Sequence, residues 1–107
     1  MNDEIANAIG LINNFLEEYV SKHNFNMSFD LYSNKGFNPT FKIEMPLNIS
    51  SKELIKYSDD IFEKVGNFAD LKNIDFILDD LSIILTRPMS NFCVGFDYLL
   101  TKIMIIK

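Results

Sequence analysis

The segments Met27-Ser28-Phe29-Asp30-Leu31-Tyr32 and Thr40-Phe41-Lys42-Ile43-Glu44-Met45, followed by Pro46 and then Ser50-Ser51-Lys52-Glu53, decide the fold. In the first two, Met27, Phe29 and Leu31 alternate with Ser28, Asp30 and Tyr32, and Phe41, Ile43 and Met45 alternate with Thr40, Lys42 and Glu44. Period two with one polar face predicts antiparallel strands, half buried and half in water. Ser33 to Pro39 contains Asn34, Gly36, Asn38 and Pro39, residues that favour turns, and joins the strands as a hairpin. Pro46 ends the second strand. Ser50 and Glu53 then have the spacing of a capping box, in which the serine hydroxyl and the glutamate carboxylate satisfy backbone donors left unpaired at a helix start.

Beyond that box, Leu54, Tyr57, Ile61, Val65 and Phe68 form one helical stripe, widened by Ile55 and Phe62, and the helix is expected to lie on the sheet and end near Asp70. Toward the amino terminus, Ile5, Ile9, Ile12, Phe15, Leu16, Tyr19 and Val20 recur at three and four, predicting a helix from Asp3 to about Lys22. Asp3 and Glu4 at its start and Lys22 and His23 at its end complement the helix dipole. Toward the carboxyl terminus, Ile74, Phe76 and Leu78 share one parity and Leu81, Ile83 and Leu85 the other. The phase change at Asp79-Asp80 reads as a tight turn between two strands. Phe92, Val94, Phe96 and Tyr98 alternate with Cys93, Gly95 and Asp97 as a further strand, and the apolar run Leu99 to Ile106 fits either a central strand or a short helix. The expected order is α-β-β-α-β-β-β over a single domain, 1–107. It is an α+β fold, with two helices on one face of a mainly antiparallel sheet of about five strands.

At 107 residues and 12.4 kDa, with 48% hydrophobic and 23% charged residues, the chain can bury a core without disulfides or metal. Cys93 is the only cysteine, so no intramolecular disulfide can form. The opening Met-Asn-Asp-Glu has no basic stretch before an apolar one, and no apolar run approaches the ~20 residues of a membrane span. A cytoplasmic protein is expected.

The residues that carry chemistry are sparse. His23 is the only histidine and sits at a helix end, where a charge interacting with the terminus explains it better than a triad. Cys93 has Phe92 and Val94 as neighbours and no adjacent base to activate it. Asp75, Asp79 and Asp80 lack the spacing and central glycine of a calcium loop, and Gly10, Gly36, Gly66 and Gly95 are too scattered to cradle a phosphate. No catalytic residue, metal or cofactor is expected, and binding is favoured over catalysis.

Charge distribution discriminates further. Residues 1–58 hold seven acids and five bases, residues 59–80 seven acids and two bases, and residues 81–107 one acid and three bases. Asp59, Asp60, Glu63, Asp70, Asp75, Asp79 and Asp80 thus form an acidic candidate surface on the second helix and the turns after it. Lys56 and Lys64 are each four residues from Asp60 and partly neutralise it. Nucleic acid demands clustered bases, and Arg87 is the only arginine, so nucleic acid is a poor partner and a basic protein the natural one. Tyr32, Phe37 in the hairpin loop, and Tyr57 are candidate aromatic anchors for that partner.

An acidic domain of this size, with an α+β layout, an Asn/Ile/Lys-rich composition and no catalytic constellation, resembles the small immunity proteins of bacterial contact-dependent growth inhibition and related toxin systems. The resemblance spans the whole chain in size and charge and rests on no diagnostic motif. It implies binding and neutralisation of a cognate toxin, often a basic nuclease. The acidic secretion chaperones of the type III class are similar in size and charge, but the direct passage from hairpin to second helix departs from their order.

Overall fold

A computed structural model describes residues 3–33, 36–88, 93–97 and 102–106. The elements are α1 (Asp3–His23), β1 (Asn26–Ser33), β2 (Gly36–Glu44), α2 (Ser51–Leu71), a 3-10 helix (Asp75–Asp80), β3 (Ser82–Thr86), β4 (Cys93–Asp97) and β5 (Lys102–Ile106). Asn34 and Lys35 of the expected turn, Phe92 and Tyr98 of the expected strand, and residues 99–101 of the apolar run lie outside the described residues. Residues 102–106 form a strand, which resolves the choice between strand and helix for that part of the run.

Both long helices end by one device. Asn24 (φ 60°) and Asn73 (φ 58°) adopt the left-handed conformation just past each helix. After α1, the Phe25 N–H donates to the Val20 carbonyl at 2.8 Å and the Asn24 N–H to that of Ser21 at 3.3 Å. After α2, the Ile74 N–H donates to Ala69 at 2.9 Å and the Asn73 N–H to Asp70 at 3.2 Å. These paired bonds satisfy carbonyls that the helix leaves open, and asparagine tolerates the required backbone better than residues other than glycine. At the start of α2, the Glu53 N–H donates to Ser50 Oγ at 3.1 Å, and that hydroxyl donates to Glu53 Oε1 at 3.1 Å. The Glu53 carboxylate therefore accepts a hydrogen bond from the Ser50 hydroxyl, where the capping box predicts one from a backbone N–H.

The five strands lie in the order β1-β2-β3-β4-β5. The ladders β1/β2, β3/β4 and β4/β5 are antiparallel, whereas β2/β3 is parallel, with Phe41 beside Ile83 and Ile43 beside Leu85. The sheet is therefore mixed, because α2 and the 3-10 helix carry the chain back to the end where β2 began, as a parallel neighbour requires. Phe41, Ile43, Ile83, Leu85 and Val94 are fully buried and share one core with Ile12 and Leu16 of α1 and Leu54, Ile61 and Val65 of α2. Ser28, Asp30, Lys42 and Glu44, of opposite parity, are exposed. Two layers result, with both helices on one face of the sheet.

Two expectations are corrected. Residues 74–78 form no strand: Asp75–Asp80 is a 3-10 helix, with Ile74, Ile77 and Leu78 buried and Phe76 exposed. Steps of three and one, continued by buried Leu81, are a helical pattern, and this outweighed the parity shared by Ile74, Phe76 and Leu78. The hairpin connection is also shorter than Ser33 to Pro39, since β2 begins at Gly36, whose φ of 102° suits glycine, and pairs with Ser33 there. Asp30 pairs with Thr40 and Tyr32 with Phe37, so Asn38 and Pro39 together oppose Leu31. This is a bulge on β2, a place where a proline without an N–H is tolerated.

Arg87, at the end of β3, fastens the start of α2. Its Nη1 donates to the Ile49 carbonyl at 2.7 Å and its Nη2 to Ser51 Oγ at 3.0 Å. The Met45 N–H also donates to the Thr86 carbonyl at 2.7 Å, extending the parallel ladder past Glu44.

Candidate protein-binding surface

Burial on α2 fixes which way its charges face. Leu54, Ser58, Ile61, Val65 and Ala69 are buried, so residues half a turn away point to water. Asp59, Glu63 and Asp70 are exposed, and at spacings of four and seven they run along one stripe of the helix. Asp59, Phe62, Glu63, Gly66 and Asn67 line a shallow, open depression, with the half-buried Phe62 as its apolar side.

The carboxyl end of this stripe works against helix electrostatics. In α1, acids occupy the first turn and bases the last. In α2, Asp70 lies in the last turn, which contains no base. Negative charge near a helix carboxyl end costs stability, as does a like-charged pair at four residues' spacing such as Asp59 and Glu63. Lys72, at the helix cap, is the nearest offset to Asp70, and its ammonium lies 6.0 Å over the Phe68 ring.

Asp60 belongs to a different environment. Its Oδ2 accepts the Tyr19 hydroxyl at 2.8 Å and pairs with Lys64 Nζ at 3.2 Å, while that ammonium lies 5.5 Å over the Tyr19 ring. Burial, with the Asp60 hydrogen bond and charge next, pushes the Tyr19 hydroxyl well above its ordinary pKa. Asp60 thus ties α2 to α1. Tyr57 faces the same seam, half-buried, with its ring 5.2 Å from Phe25 and 5.6 Å from His23. Phe15 stacks on Phe68 at 4.4 Å farther along, so the two helices run antiparallel with aromatic rings between them. His23 is occupied as a ring in this cluster, 4.6 Å from Tyr19.

The remaining candidates fall in two places. Asp75, Asp79 and Asp80 are exposed on the 3-10 helix that follows α2. Tyr32, 60% exposed, and Phe37, 39% exposed, meet edge to face at 6.0 Å. Phe37 has the parity of Phe41 and Ile43 and would point into the core on a regular strand. The bulge at Asn38-Pro39 turns it outward onto Tyr32. Because β3 pairs with β2 only from Thr40 to Glu44, this aromatic pair stands about 10 Å beyond the parallel ladder, on a projecting hairpin. The residue pattern gave no warning of that reversal. Among the described residues, no group of three or more His, Cys, Asp or Glu is placed to hold a metal ion, and no helix is long and apolar enough to cross a membrane. Comparisons with protein-family models, with curated proteins and with solved structures return no match, so the residues themselves must carry any reading of function.

Proposed function

We propose that the protein acts in the cytoplasm as an immunity-type binding module that captures a basic protein, a toxin domain such as a nuclease, and has no catalytic role of its own. The observation that carries this reading is the stripe Asp59, Glu63 and Asp70, exposed on the outer side of α2, with Asp59 and Glu63 repelling each other one turn apart and Asp70 set against the helix dipole. A surface that lowers fold stability while concentrating one sign of charge suits attraction of an oppositely charged partner. Asp75, Asp79 and Asp80 extend the negative charge onto the next element, and the Tyr32–Phe37 pair offers rigid rings of the kind that anchor interfaces. Asp60 and Tyr57 serve the α1–α2 seam first and contribute less to the partner.

Co-expression tests this. The neighbouring gene is expressed with and without this chain, and the two products are then run together by size exclusion. Protection of the cells and a stable complex are expected. Unrelieved toxicity with the two proteins eluting apart would overturn the proposal.

A further inference from the structure

β1 is an edge of the sheet: it pairs with β2 on one side, and no described strand lies on the other. The strand spans Asn26–Ser33 and contains no lysine, proline or glycine, the residues that commonly discourage further pairing. The bulge that twists the hairpin is on β2, so the free edge itself remains regular. On the core side of β1, Met27, Phe29 and Leu31 are only half-buried although they pack against the core.

We propose that a second copy of this chain covers this edge, its β1 running antiparallel to the first about a two-fold axis at Phe29. Residues directly opposite each other share a face of the sheet, so only registers that place odd opposite odd keep apolar residues together. With Phe29 opposite Phe29, Met27 meets Leu31 on the core side, while Ser28 meets Asp30 and Asn26 meets Tyr32 on the solvent side. Every residue from Asn26 to Tyr32 is matched, and no like charges face each other. Sliding by one step to place the axis at Asp30 sets two carboxylates opposite one another, which is unfavourable. Sliding the other way, to Ser28, leaves Tyr32 without a partner within Asn26–Ser33. A symmetric pairing needs one self-complementary patch, and β1 supplies it. The product is a continuous ten-stranded sheet, formed independently of any toxin.

Sedimentation of the full chain from ~1 µM to ~1 mM, where edge pairings of this size are measurable, reads the equilibrium. A reversible monomer–dimer transition is expected, with amide exchange over Asn26–Ser33 slowing as concentration rises. Ser28→Asp sets carboxylates opposite Asp30 twice in the dimer and is expected to weaken association about two- to thirty-fold, whereas Ser28→Lys tightens it by a similar factor. Ser28→Asp combined with Asp30→Lys restores pairing. Both positions are exposed, and melting of each variant at low concentration separates a change in the monomer from a change in the dimer. A parent that stays monomeric throughout, or a dimer whose strength is the same in the Asp, Lys and double variants, would overturn the proposal.

Discussion

Neutralising the stripe on α2 by Asp59→Asn, Glu63→Gln and Asp70→Asn should make the protein more stable and less able to bind. All three side chains are exposed, so no packing is lost. Asp70 lies in a last turn that contains no base, where removing negative charge contributes about 0.3–1 kcal/mol. Relieving the repulsion between Asp59 and Glu63, one helical turn apart, adds about 0.2–0.5 kcal/mol. A gain of roughly 0.5–1.5 kcal/mol corresponds to a rise in Tm of about 2–10 °C for a domain of this size. Binding should move the other way. Losing three exposed charge interactions at about 0.2–1 kcal/mol each weakens Kd by roughly 3- to 150-fold. Thermal melting followed by circular dichroism and titration of the toxin by calorimetry read the two effects separately. The Glu17→Gln, Glu18→Gln pair on α1, also exposed, is the control and should change affinity little. A triple variant that melts lower than the parent, or one that binds with unchanged affinity, would mean that these carboxylates neither strain the helix nor attract the partner.

Other perturbations report on the scaffold. Arg87→Ala removes two bonds that hold the start of α2 to the end of β3, and denaturant unfolding should show a loss of about 2–4 kcal/mol, with Arg87→Lys recovering less than half because a lysine cannot supply the same fork. Ser58 Oγ is buried without a hydrogen-bond partner among the described residues, so Ser58→Ala should leave stability unchanged or raise it by about 1 kcal/mol in the same assay. Tyr19 keeps its proton more tightly when folded than when unfolded, so its contribution is intact below the ordinary tyrosine value of about 10 and declines as pH rises above it. Parent stability should therefore exceed that of Tyr19→Phe by about 1 kcal/mol at neutral pH, with the gap narrowing in melts above pH ~10.

Where one local rule acted alone, the residues were read correctly. The Ser50–Glu53 box and the period of Leu54, Ile61 and Val65 placed α2, and alternation from Met27 to Met45 placed the hairpin and its buried face. Reading failed where two rules competed. Ile74, Phe76 and Leu78 satisfy period two, but Ile74, Ile77, Leu78 and Leu81 satisfy a helical spacing, and packing against α1 and α2 decides between them. Phe37 looked like part of a loop because Pro39 and Gly36 surround it, whereas a bulge accommodates the proline and turns the ring outward. The ends near Lys22 and Asp70 were read from charge and periodicity, whereas the left-handed Asn24 and Asn73 that close both helices went unread. The roles of Asp60 and Arg87 were not readable, because their partners lie 41 and 38 residues away along the chain. The acidic surface was legible as composition. Its division into an outward stripe and a seam-bound Asp60 required the helix to be docked.

If exposed carboxylates on α2 draw in a basic protein, the association rate constant measured by stopped flow must depend on ionic strength. Attraction between exposed charges is screened beyond about 10 Å at 0.1 M salt, while contacts formed after docking are screened less. A steep fall in association rate with added salt is expected for the parent, with a shallower slope for the Asp59→Asn, Glu63→Gln, Asp70→Asn variant and little change in either dissociation rate. An association rate indifferent to salt, or equal slopes for parent and variant, would contradict it.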